Sequence, residues 1–353
     1  MPQILLMYLL LALLDAVGYM SRAAFLMDKV MSRAGLEGRA FVAMLSSFAC
    51  AIPGIMATRT IPSAKDRIAT MLSAPLATCS ARLPVYVLLV GILVPAGSSL
   101  GPVSVRGLVL FGMYLLGALS AMLAARVVKK ITDRSGTLLP FYMEMPPYRI
   151  PTPRSVGMAM WEPTKAFLRK AGTIIMGATI VIWALTTFPL RSDAEMTAAG
   201  VDPSDEVAAT AYNMEHSAAA KVGKAIEPVF APQGFDWRVN ISLIGSMAAR
   251  EVAVSTLGQV ASASDPEDDV SVSESVQKWT YTDGPHQGEK VFTPDTTIAM
   301  LIFFAFALQC VATIGILKRE SGGWKWPAIA FGYMFVLAWV GSSLAAIITR
   351  VVM

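Results

Sequence analysis

Apolar residues come in runs of about 20 along most of this chain, and polar clusters separate them, which is the pattern of a chain that crosses a membrane several times. The first run goes from Gln3 to about Phe25, interrupted by Asp15 and Arg22. A second lies at about 38–61, a third at about 69–94 with Cys79 and Pro84 inside it, and a fourth at about 104–128. Residues 126–170 are basic and proline-rich, an interfacial connector in character. A fifth run covers about 171–189, and the polar stretch 190–236 carries an amphipathic helical pattern near 217–227. Another interrupted run covers about 237–260, an acidic loop follows at 261–296, and the last spans fall at about 297–317 and 327–350. The pattern predicts an all-α polytopic membrane protein.

Two of these runs are broken. In Ser46–Thr60, Cys50-Ala51-Ile52-Pro53-Gly54 is apolar yet unsuited to an unbroken helix, because proline removes a backbone donor and glycine adds freedom beside it. At membrane depth, broken backbone survives only when buried in protein or lining a cavity. The flanks set direction. Arg22, Lys29, Arg33 and Arg39 precede this run, and Arg59, Lys65 and Arg67 follow it. Short cytoplasmic loops concentrate Lys and Arg, so both ends are expected inside and the run is expected to re-enter. Residues 126–170 hold nine Lys and Arg and are expected inside as well. The run at 237–260 has the opposite flanks: eight acids in 190–236 and eight in 261–296. The expected architecture is an inverted-repeat transporter core with two re-entrant or broken-helix gate hairpins. Residues 1–128 form the first repeat, 129–170 the connector and 171–353 the second repeat. This topology leaves both termini external, and a further span ahead of Gln3 would restore a cytoplasmic start.

Composition agrees with this reading. Of 353 residues 55% are hydrophobic, and the mean hydropathy of +0.56 excludes an ordinary soluble domain. The net charge of +4 matters less than its distribution. No G-x-x-x-x-G-K-[ST] occurs, and no signature points to nucleic acid. His216 and His286 both lie in polar stretches, which excludes a buried multi-histidine metal site. No nucleophile–base constellation marks an enzyme, and no permanently bound cofactor is implied.

Chemistry then rests on a few groups. Each ionisable residue inside a span costs roughly 2.5–3.5 kcal/mol at the bilayer centre and needs a reason. Asp15 is either a packing carboxylate or a cation ligand. Arg250 and Glu251 sit together inside ISLIGSMAAREVAVSTLG, as a buried ion-pair lock or as path-lining groups. Cys50, Cys79 and Cys310 occupy apolar runs, either as small packing residues or as thiols facing a pathway. Glu144 lies between prolines in an interfacial stretch. Cys50, Cys79, Cys310, Asp15 and Glu251 are thus the candidate metal or transport-path residues; Pro53, Gly54, Ser80, Arg82, Glu144 and Arg250 are the gate or structural candidates.

Several stretches resemble the membrane domain of the ferrous iron transport protein B family: Gly18–Asp28, Cys50–Thr60 (CAIPGIMATRT), Cys79–Tyr86 (CSARLPVY), Phe141–Pro151 (FYMEMPPYRIP) and Ala249–Gly258 (AREVAVSTLG), with Cys310-Val311-Ala312-Thr313 near the end. The resemblance implies Fe(II) import across the bacterial inner membrane, coupled to a GTPase domain or a separate GTPase chain. It also implies that all three cysteines stand at the family's membrane-cysteine positions. There are departures. The family's Gly-Phe-Gly-Cys-Asn reads Ser47-Phe48-Ala49-Cys50-Ala51, its acidic pair before Gly-Tyr-Met is reduced to Asp15, and its Lys-Glu is Arg250-Glu251. Lost oxygen ligands bear on which metal is carried. A nucleoside or other organic-solute carrier, and a membrane scaffold for a partner GTPase, remain the other readings. The lipid bilayer is the expected partner in each, with a homo-oligomer as a further possibility.

Overall fold

A computed structural model describes residues 2–33, 35–95, 97–132, 148, 151–188, 193–198, 212–248, 250, 252–260, 269–281 and 288–352. The helices in chain order begin with α1 (Pro2–Val17), α2 (Tyr19–Arg33), α3 (Arg39–Ala49), α4 (Ala51–Ala57), α5 (Ala64–Ser73) and α6 (Leu83–Leu93). They continue with α7 (Val105–Thr132), α8 (Pro153–Thr187), α9 (Asp193–Ala198), α10 (Ala218–Phe230) and α11 (Trp237–Ala248). Last come α12 (Val252–Val260), α13 (Asp269–Val276), α14 (Pro294–Phe306), α15 (Val311–Ser321) and α16 (Lys325–Val352). Among the described residues strand pairing consists of a two-residue ladder of Ser99–Leu100 with Val103–Ser104 and an isolated antiparallel bridge of Thr280 with Lys290.

Among the described residues four stretches are long and apolar enough to cross a membrane: Ala64–Leu93, Val105–Thr132, Pro294–Ser321 and Lys325–Val352. They are not alike. The first and third are 56% buried within the chain, the second and fourth only 22%. Helices α7 and α16 therefore turn Leu108, Phe111, Leu115, Val340, Leu344 and Ile348 outward, a surface suited to lipid. The two buried stretches are also the interrupted ones. Between α5 and α6 the backbone leaves the α-helix over Ala74–Arg82, and between α14 and α15 over Ala307–Cys310.

The chain forms two compact units. The first comprises Met1–Ser80, Tyr114–Ile174 and Ala312–Gly332. In it Gly18 takes φ +87°, left-handed backbone that glycine adopts without strain, so the expected span from Gln3 to about Phe25 is instead α1, a sharp turn and α2. Helices α3 and α4 fold back on one another. Their far ends meet where the Arg39 guanidinium donates to the carbonyl of Thr60 (3.4 Å), beyond the ends of α4. The buried face of α3 carries Ala40, Ala43, Met44 and Ser47, a helical spacing. Met31, Leu36, Ile61, Ala69 and Ala125 pack around its first turns. The polar end of this unit is tied by charge. Glu320, its side chain 4% exposed, accepts from Arg59 Nε (2.7 Å) and a second Arg59 nitrogen (2.5 Å), and Arg67 reaches it at 3.3 Å. Asp66 and Lys129 form a second, buried pair.

The second unit comprises Ala81–Met113, Ile175–Val311 and Tyr333–Met353. The amphipathic pattern near 217–227 is helix α10, capped by Ser217, whose Oγ accepts from the Ala220 amide. Helix α10 lies close on α11 because Gly223 has no Cβ; one there would sit 2.6 Å from the Trp237 carbonyl. Phe230, Phe235, Phe303 and Phe335 form a ring cluster with centroids 5.6–6.4 Å apart. The acidic stretch 261–296 is not simply a solvated loop. Its α13 buries Val272 and Val276, Trp279 and Phe292 pack inward, and Tyr281 donates to the Gly234 carbonyl at 2.7 Å. The basic connector likewise becomes helical at Pro153, so the expected fifth span is the later part of a 35-residue α8.

Candidate functional site

Each of the three cysteines stands where a helix is interrupted. Cys50 alone separates α3 from α4, with φ −156° and ψ 135°, an extended residue between two helices. Pro53 lies in the first turn of α4, where a missing amide proton costs little, and it cannot make the helical bond to the carbonyl of Ala49, the last residue of α3. Gly54 differs from its expected role. It is helical, and its use is close packing, since a Cβ there would sit 2.7 Å from the Ala43 carbonyl and 1.9 Å from Ser47 Oγ. Cys79 ends the non-helical Ala77–Cys79, and Cys310 ends Ala307–Cys310. None of the three is in a disulfide, and each is partly exposed.

Within the first unit the two thiol-bearing breaks are joined. Ser80 Oγ donates to the carbonyl of Ala49 at 2.9 Å, so the residue after Cys79 holds the residue before Cys50. Helix α7 closes on this point because Gly117 is small; a Cβ there would sit 2.2 Å from Thr78 Oγ1.

The second unit has a comparable junction. Arg250 lies between α11 and α12, is 4% exposed, and donates to the Ala307 carbonyl at 3.0 Å. Gly245 of α11 faces Thr256 of α12, where a Cβ would sit 2.9 Å from Oγ1, and Ser242 Oγ donates to the Ala253 carbonyl at 3.0 Å. Val260 packs back on Trp237 and Ile241. Arg82, at the start of α6, is completely buried.

Other candidates fall elsewhere. Asp15 sits on an exposed part of α1 near the outward-facing Leu9, Leu10 and Leu13. Glu144, Glu251 and His286 lie outside the described residues, while His216 is beside Tyr212, its ring 4.3 Å away. Among the described residues no three His, Cys, Asp or Glu side chains gather as a metal cluster. Sequence reasoning missed Thr78, Gly117, Gln309 and Glu320. Only Glu320 had a local signal, its place in a Lys-Arg-Glu run.

A family model described as "Gate: Nucleoside recognition" matches residues 1–93 and 168–324, and "Ferrous iron transport protein B C terminus" matches residues 110–162. A Porphyromonas gingivalis protein named Fe(2+) transport protein A/Fe(2+) transporter FeoB fusion protein is 41% identical over 98% of this chain and 42% of its own length. A Leptospira interrogans Fe(2+) transporter FeoB is 40% identical over 96% of this chain and 47% of its own, and one from Helicobacter pylori 33% over 99% and 54%. The chain spans about half the length of the curated relatives it matches. No solved structure matches it. With the gate region covering most of the chain and the C-terminal region between its two parts, the chain belongs to the FeoB family and corresponds to that family's C-terminal membrane part.

Proposed function

We propose that this chain is the transport core of a divalent-cation carrier of the bacterial inner membrane, and that its cargo is Fe(II). The observation that carries the proposal is the position of the thiols: Cys50, Cys79 and Cys310 each stand at a break in an apolar helical stretch. Broken backbone at membrane depth belongs beside a cavity or pathway, and thiols there are ligands for a borderline-soft ion. Glu251 and Asp15 are the carboxylates assigned to the same task. Each ligand set must be weak, because an ion held tightly is not released. The names of the relatives, Fe(2+) transporters, support iron as the cargo.

The two broken hairpins, α3–α4 and α11–α12, are the gates of an inverted repeat in this reading. The order of elements supports it: each hairpin is followed by an interrupted buried stretch and then by a long, outward-facing helix. A GTPase domain, in the same polypeptide or in trans, supplies coupling. The description "Nucleoside recognition" attached to the matching gate model favours a nucleoside carrier as the second reading.

The test is uptake of radiolabelled Fe(II) under reducing conditions by cells lacking their own ferrous importers. Wild type, Cys50→Ala and Glu251→Gln are compared at equal membrane insertion, with and without a co-expressed GTPase domain. Uptake by wild type that collapses in Cys50→Ala is the expected result. Well-inserted protein that moves nucleosides and no iron would overturn the proposal.

A further inference from the structure

In the second unit the four-residue break Ala307–Cys310 buries the side chain of Gln309. Gln309 is 4% exposed, and both ends of its carboxamide, Oε1 and Nε2, are buried without a hydrogen-bond partner. Buried polar atoms are almost always paired, and leaving one open costs about 1–3 kcal/mol. A leucine at 309 would fill similar space at no such cost. Two open polar atoms on one side chain, in a stretch where the backbone has also left the helix, mark a place that meets a polar occupant. The carbonyl at the start of the break is already taken, by Arg250.

We propose that the Gln309 carboxamide oxygen is a ligand of the transported cation, acting beside the Cys310 thiol. The proposal deepens the cation reading above and rests on it. The chemistry is complementary: an amide oxygen is a neutral, hard donor, while a thiolate is soft, and the pair suits a borderline divalent ion better than two thiolates would. The ion displaces the thiol proton to solvent, forming one metal–sulfur bond as the S–H bond breaks. The guanidinium of Arg250, held at the same break, opposes the positive charge and keeps residence short. Gln309 thereby sets selectivity, moving preference away from ions that want sulfur alone.

The experiment uses the full chain in lipid nanodiscs without oxygen, with Co(II) as the probe because its charge-transfer band reports thiolate ligation. Cys50→Ser and Cys79→Ser leave Cys310 as the remaining thiol, and Cys310→Ser is the blank. Gln309→Leu is expected to weaken Co(II) binding about tenfold, and Gln309→Glu to tighten it with slower release. Thermal unfolding of each variant separates folding from binding. Unchanged Co(II) affinity in a folded Gln309→Leu protein would overturn the proposal, assigning the carboxamide to buried water. Absence of a Cys310-dependent signal would overturn it too. If iron uptake persists in cells under either result, the transport reading stands without Gln309. Gln309-dependent binding in a chain that moves no iron would remove the transport reading and leave Gln309 the ligand of a bound cation that is not cargo.

Discussion

At Gly54 a single hydrogen atom decides whether two helices can meet. A methyl group in its place would collide with a backbone carbonyl, which cannot swing aside as a side chain can. Gly54→Ala is expected to destabilise the chain by about 1–3 kcal/mol and to lower uptake. Gly91→Ala, where nothing lies within 4 Å, is expected to leave both unchanged; equal melting temperatures for the two variants would contradict this. In the sequence Pro53-Gly54 suggested a break, and the extended residue falls three positions before the proline, at Cys50. Tyr281 offers a residue-scale test by pH. Burial first, and the Asp236 charge second, push its hydroxyl from 10.0 up to about 12. A raised folded value means its contribution is complete below pH 10 and is lost as pH rises towards 12. Melting temperatures of wild type should fall across that window more steeply than those of Tyr281→Phe. The variant should start lower at neutral pH, having lost its bond to Gly234.

The elements were legible where local chemistry announced them. Ser217 caps α10 where the amphipathic pattern begins, and the long apolar runs became α7 and α16. The interruption of the last buried stretch was not legible. Leu308-Gln309-Cys310 contains no glycine or proline, so its departure from the helix is imposed by tertiary contacts such as Arg250 with Ala307. The first buried stretch had Pro75 and Pro84 as signals, which its hydropathy outweighed. The junctions between breaks were equally invisible, because they join distant positions through single bonds. Ser80→Ala removes the bond to Ala49 and is expected to cost about 1 kcal/mol. It should also change the alkylation rates of Cys50 and Cys79 together while leaving Cys310 untouched. A change at one of the first pair alone would contradict the coupling described for the first unit.

Over the whole molecule, charge was the most informative property of the sequence. The basic residues that flank the first broken run, Lys29, Arg39, Arg59, Lys65 and Arg67, fall in one compact unit together with Lys129, Lys318, Arg319 and Lys325. The described parts of the acid-rich stretches 190–236 and 261–296 fall in the other. Chain order alternates between the two units, so the sequence orders its segments without saying which of them fold together. It could not say which thiols lie at breaks, because a cysteine in an apolar run looks the same whether it packs or opens onto a path. The measurement that bears most directly on the central claim is thiol protection by the cargo. The chain in nanodiscs, without oxygen, would be alkylated with a small maleimide with and without Fe(II), and the rate read at each cysteine by mass spectrometry. Fe(II) is predicted to slow alkylation at Cys50, Cys79 and Cys310, with Mg(II) at equal concentration as an inert control. Rates at all three that ignore Fe(II) would contradict a thiol-lined passage for iron.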